Sequence, residues 1–415
     1  MKKVLVFLLI IFTSNVYSQT GWFQQSSSTT SRLWSTSFVD SLTGWAVGSE
    51  PSIILKTTNG GINWGIQTSP DPNGLTSCKF VNSNTGWISG TGGVIIKTTN
   101  GGNNWFIQLS GVAGDFWSIF FLDVNTGWAS THNGKVFKTI NSGTNWTLQN
   151  TGTTDVLSTL YFINTQTGWA VGGNYPVSGS IYKTIDGGQN WSNLNAGSIP
   201  VCESCYFVDI NTGWVTCLNG VILKTINGGT NWSLQSSGTT HSMMDVNFIN
   251  SLTGWVVGGS ETGSTSIGVI LKTTNGGLNW FSQLNATLFT NIKFVSQNIG
   301  YTVGLHGTIM KTTTGGTIGI KQISELVPAS YLLHQNYPNP FNPSTNIRYD
   351  LPKNGFVKLI IFDALGREVE TLINEKQSAG TYEATFNCTN YPSGVYFYRL
   401  TADGFSDIKR MILLK

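Results

Sequence analysis

Between residues 21 and 316, short apolar runs alternate with clusters of Gly, Asn, Asp and Ser. That punctuation predicts short β-strands joined by tight turns, with no long helical stretch. Thr-Gly-Trp recurs at Trp45, Trp87, Trp128, Trp169, Trp214 and Trp255, and Ile299-Gly300-Tyr301 reads as a weaker seventh copy. The spacings run from 41 to 46 residues. A period of this size is that of propeller blades, each a sheet that cannot bury its faces alone.

Each unit predicts four strands. The first ends in Phe-Val or a relative, as at Phe38-Val39. A turn follows, carrying Asp or Asn in six copies, at Asp40, Asn82, Asp123, Asn164, Asp209 and Asn250. Thr-Gly-Trp opens the second strand, an apolar pair with Lys-Thr forms the third, and Asn-Trp opens the fourth. The Asn-Gly and Gly-Gly pairs before that Trp supply positive φ at little steric cost, a hairpin signal. The seventh unit ends at Lys311-Thr312-Thr313-Thr314-Gly315-Gly316 and lacks its Trp. Gly21-Trp22-Phe23-Gln24-Gln25 matches Asn104-Trp105-Phe106-Ile107-Gln108, so Trp22 is expected to complete the last blade and close the ring. Aligned units place two mainly apolar positions in the core. One runs from Leu33 through Leu75, Phe116, Leu157, Cys202 and Met243 to Phe289, the other from Thr36 through Cys78, Ile119, Leu160, Cys205 and Val246 to Ile292.

The chain of 415 residues is 10% charged and carries 49 Gly, 22 Phe and 15 Trp. Residues 21–317 hold 11 Lys+Arg against 11 Asp+Glu, a neutral balance that argues against a nucleic-acid groove. Lys2 and Lys3, the apolar run Val4 to Phe12 and a site near Val16-Tyr17-Ser18 read as a signal peptide over residues 1–18. The run is too short to span a bilayer, and no transmembrane segment is expected later.

Six copies fit Thr-x-Asn/Asp-x-Gly-x-x-Trp, ending at Trp64, Trp105, Trp146, Trp191, Trp232 and Trp280; the fourth carries a true Asp, Asp186. This resembles the Asp-box of neuraminidase repeats, which implies a hairpin braced by its Asx side chain. With Thr-Gly-Trp-Ala-Val-Gly and Asn-Gly-Gly-x-Asn-Trp, residues 21–316 resemble the photosystem II stability/assembly factor type of propeller. The resemblance implies fold rather than activity.

The pattern changes after Gly316. Residues 318–335 read as a linker, and residues 336–415 as a second, smaller domain. Alternation over Asn346–Leu351, Val357–Phe362, Thr381–Phe386 and Val395–Thr401 predicts strands of an Ig-like sandwich. The motifs Tyr337-Pro338-Asn339-Pro340-Phe341, Gly366-Arg367, Gly394-Val395-Tyr396 and Lys409-Arg410 closely resemble the type A C-terminal sorting domain of the type IX secretion system. That resemblance implies passage through the periplasm, recognition of the tail by the secretion machinery, and release or attachment at the cell surface. It also argues against a photosynthetic role.

The expected fold is therefore all-β: a seven-bladed propeller over residues 19–317, closed by its N-terminal strand, plus a sandwich. Sialidase chemistry needs three arginines, and residues 21–317 contain one, Arg32. No pair of carboxylates shows a required spacing. The expected function is non-catalytic binding of a protein or glycan, with a glycoside hydrolase using two rim carboxylates as the alternative. No cofactor and no metal are expected. Loops between the second and third strands share a face with the connections between blades. Arg32, Glu50, Asp115, His132, Asp155, Tyr175, His241, Glu261 and His306 are expected on that face as ligand contacts. The lysine of Lys-Thr recurs in every unit and is read as blade architecture. Cys217 is expected to form a disulfide with Cys205 or Cys202 in an oxidising compartment.

Overall fold

The computed structural model describes residues 21–108, 114–194, 196–262, 265–316, 321–324, 326–388 and 391–414. The expected signal peptide lies outside the described residues. Nine four-stranded antiparallel sheets make up the fold, and among the described residues the only helical elements are two short 3-10 turns.

Seven sheets fill residues 21–316, six of them meanders in chain order. The first holds Arg32–Phe38, Gly44–Ser49, Ile53–Thr57 and Gly65–Gln67. The seventh holds Phe289–Phe294, Gly300–Gly304 and Ile309–Thr312, and its fourth strand is Trp22–Gln25. Trp22 stands opposite Thr312 and Gln25 opposite Ile309. The first strands of successive sheets touch one another in order, and that of the seventh touches that of the first.

One aromatic interlock joins every pair of neighbours. The Trp of Thr-Gly-Trp stacks flat on the Phe that ends the next sheet's first strand: Trp45 on Phe80 at 3.5 Å, Trp128 on Phe162 at 3.6 Å, Trp255 on Phe294 at 3.5 Å. Tyr301 takes the Trp role against Phe38 at 3.7 Å, between the seventh and first sheets. The same Phe meets the hairpin Trp of its own sheet edge to face, as Phe38 meets Trp64 at 5.9 Å. Trp22 fills that place beside Phe294 at 5.8 Å. Such pairs add about 0.5–1.5 kcal/mol each beyond area burial. The Gly before each Trp is required by this packing, because a Cβ on Gly44, Gly127 or Gly254 would overlap the Phe ring.

The recurring lysines complete the joint. Each Nζ lies 5.2–5.5 Å from the Trp or Tyr301 ring centroid of its own sheet. Lys183 Nζ donates to Gly228 O at 2.9 Å and Lys311 Nζ to Gly60 O at 2.7 Å, each in the next sheet's hairpin. Within that hairpin a Thr–Asx brace repeats. Thr57 Oγ1 accepts from the Gly61 N–H, and Asn59 Oδ1 accepts from the Asn63 N–H. Asp186 also accepts from the Asn190 side chain. The Asn190 N–H and side-chain bonds hold its carboxyl down at about 2.

Polar side chains link the first strands. Ser35 accepts from the Cys78 N–H, Ser77 from Ile119 and Ser118 from Leu160. Asp245 Oδ2 accepts from Ile292, and Asn291 Oδ1 from Thr36. Both expected core positions are buried in all seven sheets.

The two remaining sheets share one hydrophobic core built from Ile347, Tyr349, Leu359, Phe386, Tyr398 and Met411, among others. All four expected strands lie inside Ser344–Leu351, Gly355–Asp363, Gly380–Asn387 and Gly394–Ala402. Glu368–Gln377 and Phe405–Leu413 add two strands, the second carrying the basic Lys409-Arg410. The expected linker is corrected. Lys321–Ser324 pairs with Gly380–Asn387 and Leu332–Leu333 with Ser344–Leu351, so part of residues 318–335 covers edges of this domain's sheet.

Candidate functional site

Every first strand of the seven sheets breaks register once. The breaks isolate Trp34, Thr76, Trp117, Ser158, Glu203, Met244 and Thr290. A bulge inserts one unpaired residue and re-aims its side chain. Here Thr76 and Thr290 reach the first-strand carbonyls of Phe116 and Leu33 in the neighbouring sheets, while the two tryptophans extend further along the inner edge. Trp34 and Trp117 demonstrate the direction. They belong to the first and third sheets, yet meet edge to face at 6.3 Å across the inner edge of the second.

This pair organises the loop face. Trp34 Nε1 donates to Ser49 Oγ at 2.8 Å, and the Arg32 guanidinium stacks 5.0 Å from the Trp34 ring centroid. Arg32 Nη2 pairs with Glu261 Oε2 at 2.7 Å. Glu261 lies on the long hairpin Gly254–Thr262 and Thr265–Thr273 of the sixth sheet, which reaches past the short seventh-sheet turn to the first. His241 is tied to the same hairpin through Ser260 Oγ at 2.9 Å. Trp117 remains 39% exposed. The result is an aromatic mouth with one cation stacked at its rim.

The other expected contacts are dispersed. His132 Nδ1 accepts from the Asp115 N–H, and Asp115 Oδ1 accepts from the Gly92 N–H at 2.8 Å. Tyr182 donates to Asp155 Oδ2 at 3.1 Å. Glu50 and His306 sit at positive φ in their turns. Tyr175 is exposed in the fourth-sheet loop. Thus Arg32, His241 and Glu261 come together, as do Asp115 and His132, while Glu50, Asp155, Tyr175 and His306 stand apart. Among the described residues, no three His, Cys, Asp or Glu side chains converge as a metal-binding set.

Two carboxylates lie deeper. Burial pushes Glu203 up to about 7, and no hydrogen bond reaches its side chain among the described residues. Burial also raises Asp245, to about 6, against the opposing pull of its hydrogen bonds to Ile292 and Ser204. The cysteine pairing needs a correction: Cys217 is bonded to Cys202, and Cys205 is a buried thiol opposite Val215. The bulge at Glu203 is the cause, because it puts Cys202 directly across from Cys217.

In the second domain the sorting-motif residues divide into buried and displayed sets. Phe341 is buried and Tyr337 is exposed. The carbonyl of Pro338 accepts from Thr345 Oγ1, and Asn339 Oδ1 from the Ile412 N–H. Pro340 follows in the same bend, and Gly366 takes positive φ before Arg367, which pairs with Asp363 at 2.7 Å. Lys409 pairs with Asp407, and the backbone carbonyl of Arg410 accepts from Gln335. Asp363, Arg367, Gly394 and Tyr396 line a cavity of about 350 Å³ that brings two motifs together.

Interlocked repeat sheets followed by a compact β domain define a repeat propeller joined to a sorting module. Residues 14–161 match the family described as photosynthesis system II assembly factor YCF48, and residues 335–414 match the secretion system C-terminal sorting domain. The chain therefore carries a YCF48-like propeller domain and a type IX C-terminal sorting domain, which indicates export to the cell surface or medium. A solved structure described as YCF48 bound to D1 peptide is similar over 71% of this chain and 97% of that one, with 22% identity and a TM-score of 0.60. YCF48 from Cyanidioschyzon merolae is similar over 70% and 98%, with 19% identity and a TM-score of 0.58. The WD40 β-propeller domain of Doa1 reaches a TM-score of 0.55 at 11% identity, over 71% and 96% of the two chains. Identities this low establish the fold alone. No curated protein matches the chain. No helix among the described residues is long and apolar enough to cross a membrane.

Proposed function

We propose that this protein is a secreted or surface-attached, non-catalytic binding module. In this reading the seven sheets are the blades of a ring closed by the N-terminal strand. An Ig-like C-terminal sandwich is the address read by the type IX machinery. The propeller binds a protein or glycan at the mouth formed by Trp34 and Trp117, with Arg32 supplying a cation at the rim. One observation carries the reading: these two tryptophans serve no blade joint, yet meet at the inner edge. Aromatic faces of this kind stack on sugar rings or apolar side chains, while a nearby guanidinium selects acidic groups.

Binding of the secreted chain to a glycan array and to surface proteins of its own cell tests this. Trp34→Ala and Trp117→Ala should each abolish the selected ligand while leaving the melting temperature within a few degrees. Retained binding in both variants would refute the mouth as the site. The alternative, a polysaccharide hydrolase, draws support from Glu203, whose raised pKa suits a general acid. It requires a second carboxylate. Asp245 is bonded to Ser204, Asn291 and Ile292, which favours a structural role. Release of reducing sugar that disappears in Glu203→Gln would establish the hydrolase instead.

A further inference from the structure

The first strands place a second layer beyond the mouth. Three residues past each bulge, about 10 Å further along the strand direction, Lys79 of the second sheet and Lys293 of the seventh flank Ser37 of the first. Phe120, Tyr161 and Tyr206 of the third to fifth sheets complete the opposite arc. Their rings contact in succession, Phe120 to Tyr161 at 5.5 Å and Tyr161 to Tyr206 at 5.0 Å. Lys79 Nζ lies 5.1 Å from the Phe120 ring centroid. One side of this layer is therefore cationic and the other aromatic, and the residue between the two lysines is the small Ser37, whose Oγ accepts from the Phe80 N–H.

These lysines differ from the seven in the blade joints. Neither nitrogen has a hydrogen-bond or ion-pair partner among the described residues. The nearby carboxylate is already committed: Asp245 accepts from Ser204 at 2.6 Å, from the Asn291 side chain at 2.6 Å and from the Ile292 N–H at 2.9 Å. Burial first, and the charge of Lys293 second, together draw the Lys79 ammonium down to about 8. The Asp245 charge favours the ammonium form of Lys293, but no carboxylate does the same for Lys79. Two half-buried, mutually repelling ammonium groups with one distant counter-charge are costly unless a further anion joins them. Burial raises the Tyr161 and Tyr206 hydroxyls, so both remain neutral donors.

We propose that this inner layer binds one carboxylate carried on a flat apolar body, with the carboxylate between Lys79 and Lys293 and the body against Phe120, Tyr161 and Tyr206. The charge of the ligand relieves the repulsion, and its body covers the aromatic arc. Inorganic phosphate offers only the first interaction, and an uncharged aromatic only the second. The site is separate from the tryptophan mouth and stands whether or not that mouth binds a ligand.

Calorimetric titration of the full chain with benzoate tests the site, with benzamide and inorganic phosphate as comparisons. Benzoate should bind saturably at one site, and benzamide and phosphate at least about tenfold more weakly, the loss expected for a missing charge-assisted bond. Lys79→Met and Lys293→Met should each weaken benzoate about tenfold, whereas Lys79→Arg should retain it. In lysine side-chain NMR, benzoate should raise the titration midpoint of Lys79. A short peptide ending in Phe, with free or amidated C-terminus, distinguishes the source. Binding of the free acid form identifies a chain terminus; binding of benzoate alone identifies a small organic acid. Absence of saturable carboxylate binding, equal affinity for phosphate, or unchanged affinity in both Met variants overturns the proposal. If those variants fail to fold, unmoved lysine signals in the benzoate-treated wild type overturn it equally.

Discussion

Replacing Trp22 by Ala tests how the ring is held shut. Trp22 is fully buried, meets Phe294 edge to face at 5.8 Å and donates from Nε1 to Gln283 at 3.1 Å. Its strand covers Ile309–Thr312, which would otherwise be a free edge. Truncating a buried Trp to Ala costs about 3–5 kcal/mol. For a domain of this size, that lowers the melting temperature by roughly 10 °C. Deleting Gly21–Gln25 should cost at least as much and add aggregation, because the Ile309–Thr312 edge becomes free to pair with another molecule. Differential scanning calorimetry with light scattering measures both effects. Trp280→Ala is the matched control, since Trp280 holds the equivalent place in the sixth sheet at 5.9 Å from Phe248. If Trp22→Ala melts within about 2 °C of wild type while Trp280→Ala is strongly destabilised, the N-terminal strand does not seal the ring.

Other changes probe separate links. Glu203 titrates near 7 folded and near 4.5 unfolded, so between those values the folded state keeps a proton that the unfolded state loses. Stability should therefore fall as pH rises from 4.5 to 7, by at most about 3 kcal/mol. Urea unfolding across that range should show a flatter dependence in Glu203→Gln, and identical slopes would refute the burial of this group. Gly127→Ala places a methyl in the Phe121 ring and should cost more than about 2 kcal/mol, whereas the same change at Gly65, where a Cβ meets only the Lys56 carbonyl at 3.9 Å, should cost less than about 1, both read from thermal melts. Cys217→Ser should lower the melting temperature and abolish its dependence on reductant. A reductant effect that persists in this variant would contradict the Cys202–Cys217 bond.

The blade plan was legible because each blade meets the same packing demand with the same residues. The Phe, the Gly-Trp and the hairpin Trp form one interlock, so their spacing survives in every repeat and even exposes Trp22 as a displaced copy. The bulges were not legible, since a register break leaves no trace in hydrophobic period. They decided two outcomes that the pattern left open or missed: which cysteine faces Cys217, and where Trp34 and Trp117 point. A signal for the latter was present. Of 15 tryptophans, six follow Thr-Gly, six open fourth strands and one is Trp22, leaving only these two outside the repeat. Arg32 and Glu261 could be placed on one face, but their pairing depended on how far the sixth-sheet hairpin reaches. The linker was misread because two-to-four-residue edge strands carry too little alternation to register.

The same contrast separates architecture from recognition. Positions that join neighbouring sheets scarcely vary, because changing one breaks a stack shared by two blades. The bulge position, by contrast, holds Trp, Thr, Trp, Ser, Glu, Met and Thr in the seven sheets, and the layer beyond it holds Ser, Lys, Phe, Tyr, Tyr, Asn and Lys. Thr76, Thr290, Ser37 and Asn247 at these positions still bond the neighbouring sheet, whereas among the described residues no such bond is made by the Lys79, Lys293 or Glu203 side chains, so a costly feature there needs another reason. Two unpaired lysines and an untethered carboxylate are costly features of that kind. Ligand recognition in this ring should therefore be sought at its inner edge, where the repeat leaves composition free.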